Sequence, residues 1–407
     1  MIDALGAISD EEGRLTRLYL GPAHRRAADL VARWMREAGL DVAFDGLGTV
    51  RGRRDATAPR GHARLLIGSH IDSVVDAGRY DGALGVVCGI LAAEEVQARR
   101  IEIPFGIDVL AFGDEEGVRF PATLVSSSAA AGILDPATLD LADRDGTTIA
   151  AALRGFGVDP AEIAAAAYEP GGVLGYFEVH IEQGPVLEHE GLPLGVVTSI
   201  AGQSRFRIRI EGLAGHAGTV PMGLRRDALA AAAEIMMTIE TTARARDPGD
   251  AVVATVGSLA VVPGATNVIP GSVTMTLDLR AASDRPRAEV AEAIVKRARE
   301  IGTLRGVAVE IERYHEAPTC ACAPDLQDVL AAAVDGMGLP PRRLASGAGH
   351  DGQAMARLTD IGMLFVRCAG GISHNPAEHV ADEDMGLAVE ALVRAVERLA
   401  AKAREGT

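Results

Sequence analysis

Gly68-Ser-His-Ile-Asp-Ser-Val-Val-Asp-Ala-Gly-Arg-Tyr-Asp-Gly82 is the stretch from which the rest of the chain can be read. Before it lies an apolar run, Ala63-Arg-Leu-Leu-Ile67, with the character of a buried strand. After it, residues 83–96 are apolar on every side, the pattern of a buried helix. The loop between them carries His70, Asp72, Asp76 and Asp81, and Gly68, Gly78 and Gly82 loosen the backbone around these groups. Sheets of the α/β class place their chemistry on such strand-to-helix loops.

The same alternation extends in both directions. Residues 22–40 predict an amphipathic helix with Ala27, Leu30, Val31 and Trp34 on one face, and residues 41–44 and 49–51 a hairpin around Asp45-Gly46. Residues 107–112, 176–181 and 363–367 read as further strands, and 325–337 and 384–401 as helices. The Ala-rich stretch 135–167 is expected to be helical. Together these predict an α/β catalytic domain with a mixed, mostly parallel sheet. Between 204 and about 313 the order becomes strand (206–210), helix (224–245), strands (251–262 and 272–280), helix (285–302) and strand (307–312). That βαββαβ order is ferredoxin-like. The expected division is 1–203 with 317–407, and an inserted α+β domain at 204–316.

A chain of 407 residues and 42.3 kDa exceeds one comfortable core, in keeping with two domains. The formal charge of −16 disfavours nucleic acid and anionic membrane surfaces as partners. Cys88, Cys320, Cys322 and Cys368 form no C-x-x-C pair, so neither a disulfide framework nor a thiolate zinc site is expected. The first residues lack a signal-peptide pattern and no apolar run is long enough to span a bilayer, which predicts a cytoplasmic protein.

His70, Asp81, Glu116, His180 and His374 fall at or just past the ends of predicted strands. Strand ends of one parallel sheet converge, so ligands remote in sequence can meet there. Imidazole and carboxylate donors without thiolate suit zinc, manganese or cobalt better than calcium or magnesium. A lone histidine in an apolar strand is more often a core residue, but five such donors at separate strand ends favour a site. Asp72 either orients the His70 imidazole or caps the loop. In Glu115-Glu116 one carboxylate could ligate while the other carries protons; the alternative is a solvated acidic turn.

The segments Gly68-Ser-His-Ile-Asp-Ser73, Tyr80-Asp-Gly82, Asp114-Glu-Glu-Gly-Val-Arg-Phe120, Val179-His-Ile-Glu-Gln-Gly-Pro185, Gly215-His-Ala-Gly218, Thr266-Asn-Val-Ile-Pro270 and Ser373-His-Asn-Pro-Ala-Glu378 run in order through nearly the whole chain. As a set they resemble the allantoate amidohydrolase and N-carbamoyl-L-amino-acid hydrolase (L-carbamoylase) family of the aminoacylase-like binuclear metallopeptidase superfamily. The resemblance implies two divalent metal ions, zinc or manganese, with cobalt or nickel as further candidates. His70 and His180 would hold one ion, Glu116 and His374 the other, with Asp81 bridging both and Glu115 as general base. His180 stands where the superfamily's peptidases commonly carry an acidic residue. The insert would be a lid that also forms a homodimer, with His216 stabilising an oxyanion in the partner subunit's site. Asn267 and Arg280 would grip a substrate carboxylate, for which the guanidinium fork is well shaped. For Arg280 the other reading is a surface salt bridge. Gln183 and the Gly347-to-His350 loop, Gly349 included, would also touch substrate.

Arg119 is open between an ion-pair and a pocket role, and His24, His62, His189, His315, His350 and His379 receive no catalytic assignment. The implied activity is hydrolysis of the ureido C–N bond of a small carboxylate substrate, allantoate or an N-carbamoyl-L-amino acid. The alternatives are an aminoacylase or dipeptidase acting on ordinary amides, and a catalytically silent small-molecule-binding homologue.

Overall fold

The strand Arg64–His70 runs through the middle of the main sheet in a computed structural model that describes residues 1–57 and 63–405. His62 lies outside the described residues. Arg64–His70 pairs in parallel with Gly106–Phe112 on one side and Val173–Ile181 on the other. Ile361–Val366 continues the parallel run, with Ile361 opposite Tyr176 and Val366 opposite Ile181. Antiparallel strands flank these four: the hairpin Asp41–Phe44 and Val50–Arg54 beside Gly106–Phe112, and Leu194–Ile200 beside Ile361–Val366. The sheet is mixed with a parallel centre, as the alternation of apolar runs predicts.

The central strands are buried along almost their whole length, which is why they read as unbroken apolar runs instead of alternating ones. Helix Ala83–Ala98 is apolar all round because it packs against those strands and against helix Asp382–Glu405. Tyr19, Leu65, Ile67, Val86, Val109, Phe177 and Leu392 belong to the resulting core.

The Ala-rich stretch departs from expectation. It breaks into 3₁₀ turns at Pro136–Asp140 and Pro160–Ala166 around a short helix, Ile149–Phe156. Asp135 and Asp159 each precede a proline and accept a hydrogen bond from the amide two residues on, and Gly157 ends the helix at φ +94°. These local bonds override alanine's helix propensity. The strand expected at 251–262 is likewise two, Val253–Thr255 and Leu259–Val262, and the helix expected from 224 starts at Ala228, where Asp227 caps it.

The chain separates into two compact units, Met1–Thr198 with Cys322–Leu344 and Ala348–Thr407, and Ser199–Ala321 with Ala345–Gly347. In the second, an antiparallel sheet runs in the order Leu259–Val262, Ser272–Ala281, Gly202–Glu211, Ala308–Ala317, with Val253–Thr255 also on Ser272–Ala281. Gly202–Glu211 and Ser272–Ala281 alternate buried with less buried residues, and helices Ala228–Arg244 and Asp284–Arg305 cover the buried face. Ile208, Ile210, Ile235, Leu277 and Ile294 form a core of its own there. All four cysteines are free thiols, and no helix among the described residues is long and apolar enough to cross a membrane.

Candidate metal centre

His70 ends its strand and His180 is the last residue but one of the neighbouring parallel strand, so the sheet itself brings their rings to 5.8 Å. Each ring is oriented through its Nδ1. That of His180 lies 3.0 Å from the Ile181 carbonyl, and that of His70 lies 3.2 Å from the Asp72 carbonyl and 3.4 Å from Asp72 Oδ1. With Nδ1–H donating to these oxygens, both Nε2 atoms are left as ligands. They face the same oxygen, Asp81 Oδ1, at 3.5 Å from His70 and 3.1 Å from His180.

The other oxygen of Asp81 faces a different set. His374 Nε2 stands 3.3 Å from Asp81 Oδ2 and 3.5 Å from Glu116 Oε2. Donor atoms of His70, Asp81 and His180, of Asp81, Glu116 and His374, and of His70, Glu115 and Glu116 lie in each case within 4.8 Å of one another. Tetrahedral zinc at its usual bond lengths holds its ligands about 3.3 Å apart, close to the separations seen. His70 Nε2 and Glu116 Oε1 are buried and lack a hydrogen-bond partner, as donors awaiting an ion would. The residues therefore fit divalent cations.

The charges agree with that fit. Burial would raise the Asp81 carboxyl, but hydrogen bonds to His180, His374 and His70 hold it well below the usual range. Glu116, pushed up by burial and then by Asp81, reaches about 7. Burial also lifts Glu115 well above its ordinary value, and the Glu116, Asp351 and Asp72 charges add to this while His70 opposes it. Carboxylates crowded out of water need a compensating positive charge. His374, half exposed at 51%, marks the solvent side of the cluster.

Asp81, Glu116 and His374 stand on loops, and a set of polar contacts holds those loops. Asp72 accepts from the Glu115 amide at Oδ1 (3.3 Å) and from the Glu116 amide at Oδ2 (3.2 Å) while facing His70. Asp72 thus links the His70 ring to the backbone of the acidic turn. Ser373 Oγ and Gln183 Nε2 each donate to Asp81 Oδ2 at 2.8 Å, and Gln183 also reaches Ser373 at 3.1 Å. Gln183, expected as a substrate contact, is thus tied to Asp81. Asp114, Gln183 and His374 all have positive φ (65°, 55° and 54°), backbone strain of the kind stored at functional sites. A Cβ on Gly349 would lie 3.9 Å from Glu115 Oε1, which puts this loop beside that glutamate.

Several site-building residues escape sequence reasoning. The His350 ring meets His180 edge-on at 4.4 Å between centroids, and burial together with the His180 charge holds its pKa well below normal. Glu378 and Ser373 lie in quoted motifs, but spacing carries no sign of which distant backbone they touch. Arg119 resolves as a structural ion pair, its Nε 3.1 Å from Asp143 and its Nη1 donating to the Tyr19 carbonyl at 2.9 Å. His24 is a core histidine between Tyr19 and Phe156, lowered to about 4 by burial.

His216, Asn267 and Arg280 belong to the second unit. His216 is exposed, pairs with Val268, and accepts from the Gly218 amide at Nδ1 (3.0 Å). The Asn267 carbonyl accepts from Ala217, which ties the two motifs together. Arg280 is forked onto Asp278 through Nε (2.9 Å) and Nη2 (3.1 Å), and Nη1 donates to the Gly347 carbonyl at 2.6 Å. The salt bridge kept open for this residue is therefore present.

A parallel-centred α/β sheet whose strand ends and loops gather imidazoles and carboxylates in this way defines a hydrolase of the peptidase family M20/M25/M40. The chain belongs to that family, whose profile matches residues 66–398. Among curated relatives, allantoate deiminase 2 of Glycine max is 43% identical, covering 97% of this chain and 87% of the relative. The N-carbamoyl-L-amino acid amidohydrolase of Geobacillus stearothermophilus is also 43% identical, covering 97% and 96%. Among solved structures, an amidase of the hydantoinase/carbamoylase family from Burkholderia multivorans superposes with a TM-score of 0.91 at 33% identity, covering 98% of this chain and 96% of that one.

Proposed function

We propose that this protein is a binuclear metal-dependent amidohydrolase that cleaves the ureido C–N bond of a small carboxylate substrate, allantoate or an N-carbamoyl-L-amino acid. The observation that carries the reading is the division of Asp81. Its Oδ1 faces His70 and His180 and its Oδ2 faces His374, with Glu115 Oε2 3.8 Å from His70 Nε2 and free to act. In this reading His70 and His180 hold one ion, Glu116 and His374 the other, and Asp81 both. Zinc or manganese suits the donors, with cobalt and nickel as substitutes. The names of the relatives and His180, in place of an acidic ligand, support a carbamoyl over a peptide substrate.

When bound, the ions supply Lewis acidity at the scissile carbonyl and to the attacking water. Glu115 takes the proton of that water as its oxygen bonds to the carbamoyl carbon. It returns the proton to the nitrogen as the C–N bond breaks. A buried carboxyl with a raised pKa is a strong enough base for the first transfer and a ready acid for the second. For His216, Asn267 and Arg280 the assignment rests on their motifs. With Nδ1 occupied by Gly218, a neutral His216 carries its proton on Nε2, the form that donates to an oxyanion. Arg280, Asn267, Gln183 and Gly349 are assigned to the substrate and its carboxylate. The active form is taken to be a homodimer in which His216 serves the partner subunit's site.

The test is a product assay on metal-loaded and chelator-treated protein. The substrates are allantoate, several N-carbamoyl-L-amino acids, N-carbamoyl-β-alanine, an N-acetyl amino acid and a dipeptide. Ureido substrates are expected to release ammonia in the loaded protein and not in the stripped one. Faster hydrolysis of the N-acetyl or dipeptide substrate would move the assignment to an ordinary amidase.

A further inference from the structure

The sheet aligns His70 and His180, but Asp81 and His374 depend on how two loops from opposite ends of the chain meet. Glu378, four residues past His374, is 4% exposed. Its Oε1 accepts from the Tyr80 amide at 2.7 Å and from the Asp81 amide at 3.1 Å, partners 298 and 297 residues away in sequence. The fit is close: a Cβ on Gly78 would lie 2.3 Å from the Glu378 carboxyl carbon, so residue 78 has room for no side chain. On the other flank of His374, Ser373 donates to Asp81 Oδ2 at 2.8 Å. The His374 loop thus grips the Asp81 segment twice, by its main chain through Glu378 and by its side chain through Ser373. Asp72 does for the amides of Glu115 and Glu116 what Glu378 does for those of Tyr80 and Asp81.

We propose that Glu378 is a positioning residue of the metal centre, locking the bridging carboxylate of Asp81 against His374 and thereby setting the affinity for the ion shared by Asp81, Glu116 and His374. The proposal rests on reading the cluster as a two-ion site. Two adjacent amides bonded to one buried carboxylate oxygen hold the direction of the Asp81 backbone, and through it which side chains each oxygen meets. Loss of that oxygen frees both amides. A glutamine at 378 keeps a carbonyl oxygen that can accept the same two bonds.

The experiment titrates metal-free protein with zinc in competition with a chromophoric chelator, for wild type, Glu378→Ala, Glu378→Gln and Gly78→Ala. Wild type is expected to take two ions. Glu378→Ala is expected to weaken the second by at least about tenfold and the first less, and Glu378→Gln to recover most of the loss. A further variant, Glu378→Met, close in size but without an oxygen acceptor, is expected not to recover the loss, whereas it would if Glu378 only filled space. Gly78→Ala, which pushes on the same carboxylate from the other side, is expected to weaken the second ion too, and stands in should Glu378→Ala fail to fold. A double-mutant cycle by urea unfolding of the metal-free proteins adds a readout independent of metal. Gly78→Ala should cost far less stability in a Glu378→Gly background, since alanine at 378 would keep the Cβ that lies 2.4 Å from a Cβ at 78. Two ions bound at unchanged affinity by Glu378→Ala, or additive unfolding costs, overturn the proposal while leaving the two-ion reading intact. A wild type that takes up no zinc overturns that reading, and the proposal with it.

Discussion

Replacing Asp72 by asparagine tests whether buried hydrogen bonds hold the acidic turn in place. Asp72 is 2% exposed. Burial by itself would raise its pKa, yet the hydrogen bond and charge of His70, helped by His24 and the Glu116 amide, hold it below the ordinary value. The ionised form is therefore the one the fold favours, and the attraction outweighs the repulsion of the neighbouring acids. Asparagine keeps one acceptor for the two amides that now share the carboxylate at 3.3 and 3.2 Å, and turns an NH₂ toward the other. A buried amide left facing a donor costs about 1–3 kcal/mol. The net attraction that favours the ionised carboxylate is lost as well, giving a loss of about 2 kcal/mol, roughly 30-fold in the folding equilibrium. Zinc affinity should fall about 10–100-fold, because His70 and Glu116 both lose an anchor. Urea unfolding of the metal-free protein measures the first effect and a chelator competition titration the second. An unchanged unfolding midpoint together with zinc affinity within about threefold of wild type would refute the reasoning.

Three further outcomes are expected. Glu115→Gln keeps the shape of the side chain and the bound ions but removes the base, so kcat on the best ureido substrate should fall by about 10²–10⁴; near-normal turnover at full metal content would remove Glu115 from the chemistry. Metal-free protein should lose stability as pH rises, because Glu116 goes from an ordinary 4.5 to about 7 and Asp351 from 3.8 to about 8. Groups raised on folding stabilise fully below their unfolded values, and that contribution is lost as pH climbs through the folded ones. The raised values of His70, His180 and His374 act in the same direction. Denaturation midpoints should therefore fall between pH 5 and pH 8, and fall less once zinc is bound; a midpoint that rises over this window contradicts the electrostatics. Finally, Gly82→Ala would force a side chain to φ +66° with its Cβ 2.4 Å from the His70 ring. Zinc affinity should drop about tenfold or more, whereas Gly155→Ala, in a helix with open space around it, should leave it unchanged; equal titration curves for Gly82→Ala and wild type would show that His70 gives way without consequence.

Much of the main sheet was legible because its central strands are buried on both sides and so appear as continuous apolar runs. Arg64–His70, Gly106–Phe112 and Ile361–Val366 could be read to within a few residues. The Ala-rich stretch is not a single helix because alanine's propensity for helix is weak beside the Asp-Pro turns at 135–136 and 159–160, which bond their own backbone. Leu194–Ile200 leaves no clear mark in the sequence although buried along most of its length, since a short apolar run after a proline carries no period of its own. The donor types at the site were visible for a different reason. Imidazoles and carboxylates are out of place beside buried strands, and that incongruity is a local property of the sequence.

By itself, then, the order of residues determined that an α/β sheet would carry His70, Asp81, Glu116, His180 and His374 near its strand ends, because polarity patterns are written in neighbouring residues. Tertiary structure alone decided that one oxygen of Asp81 would face His70 and His180 and the other His374. It also decided that Glu378 would close on amides some 300 residues away. Those contacts depend on the register between parallel strands, Ile361 against Tyr176 and Leu65 against Gly175, which crossover chain of any length can satisfy and only the packed core selects.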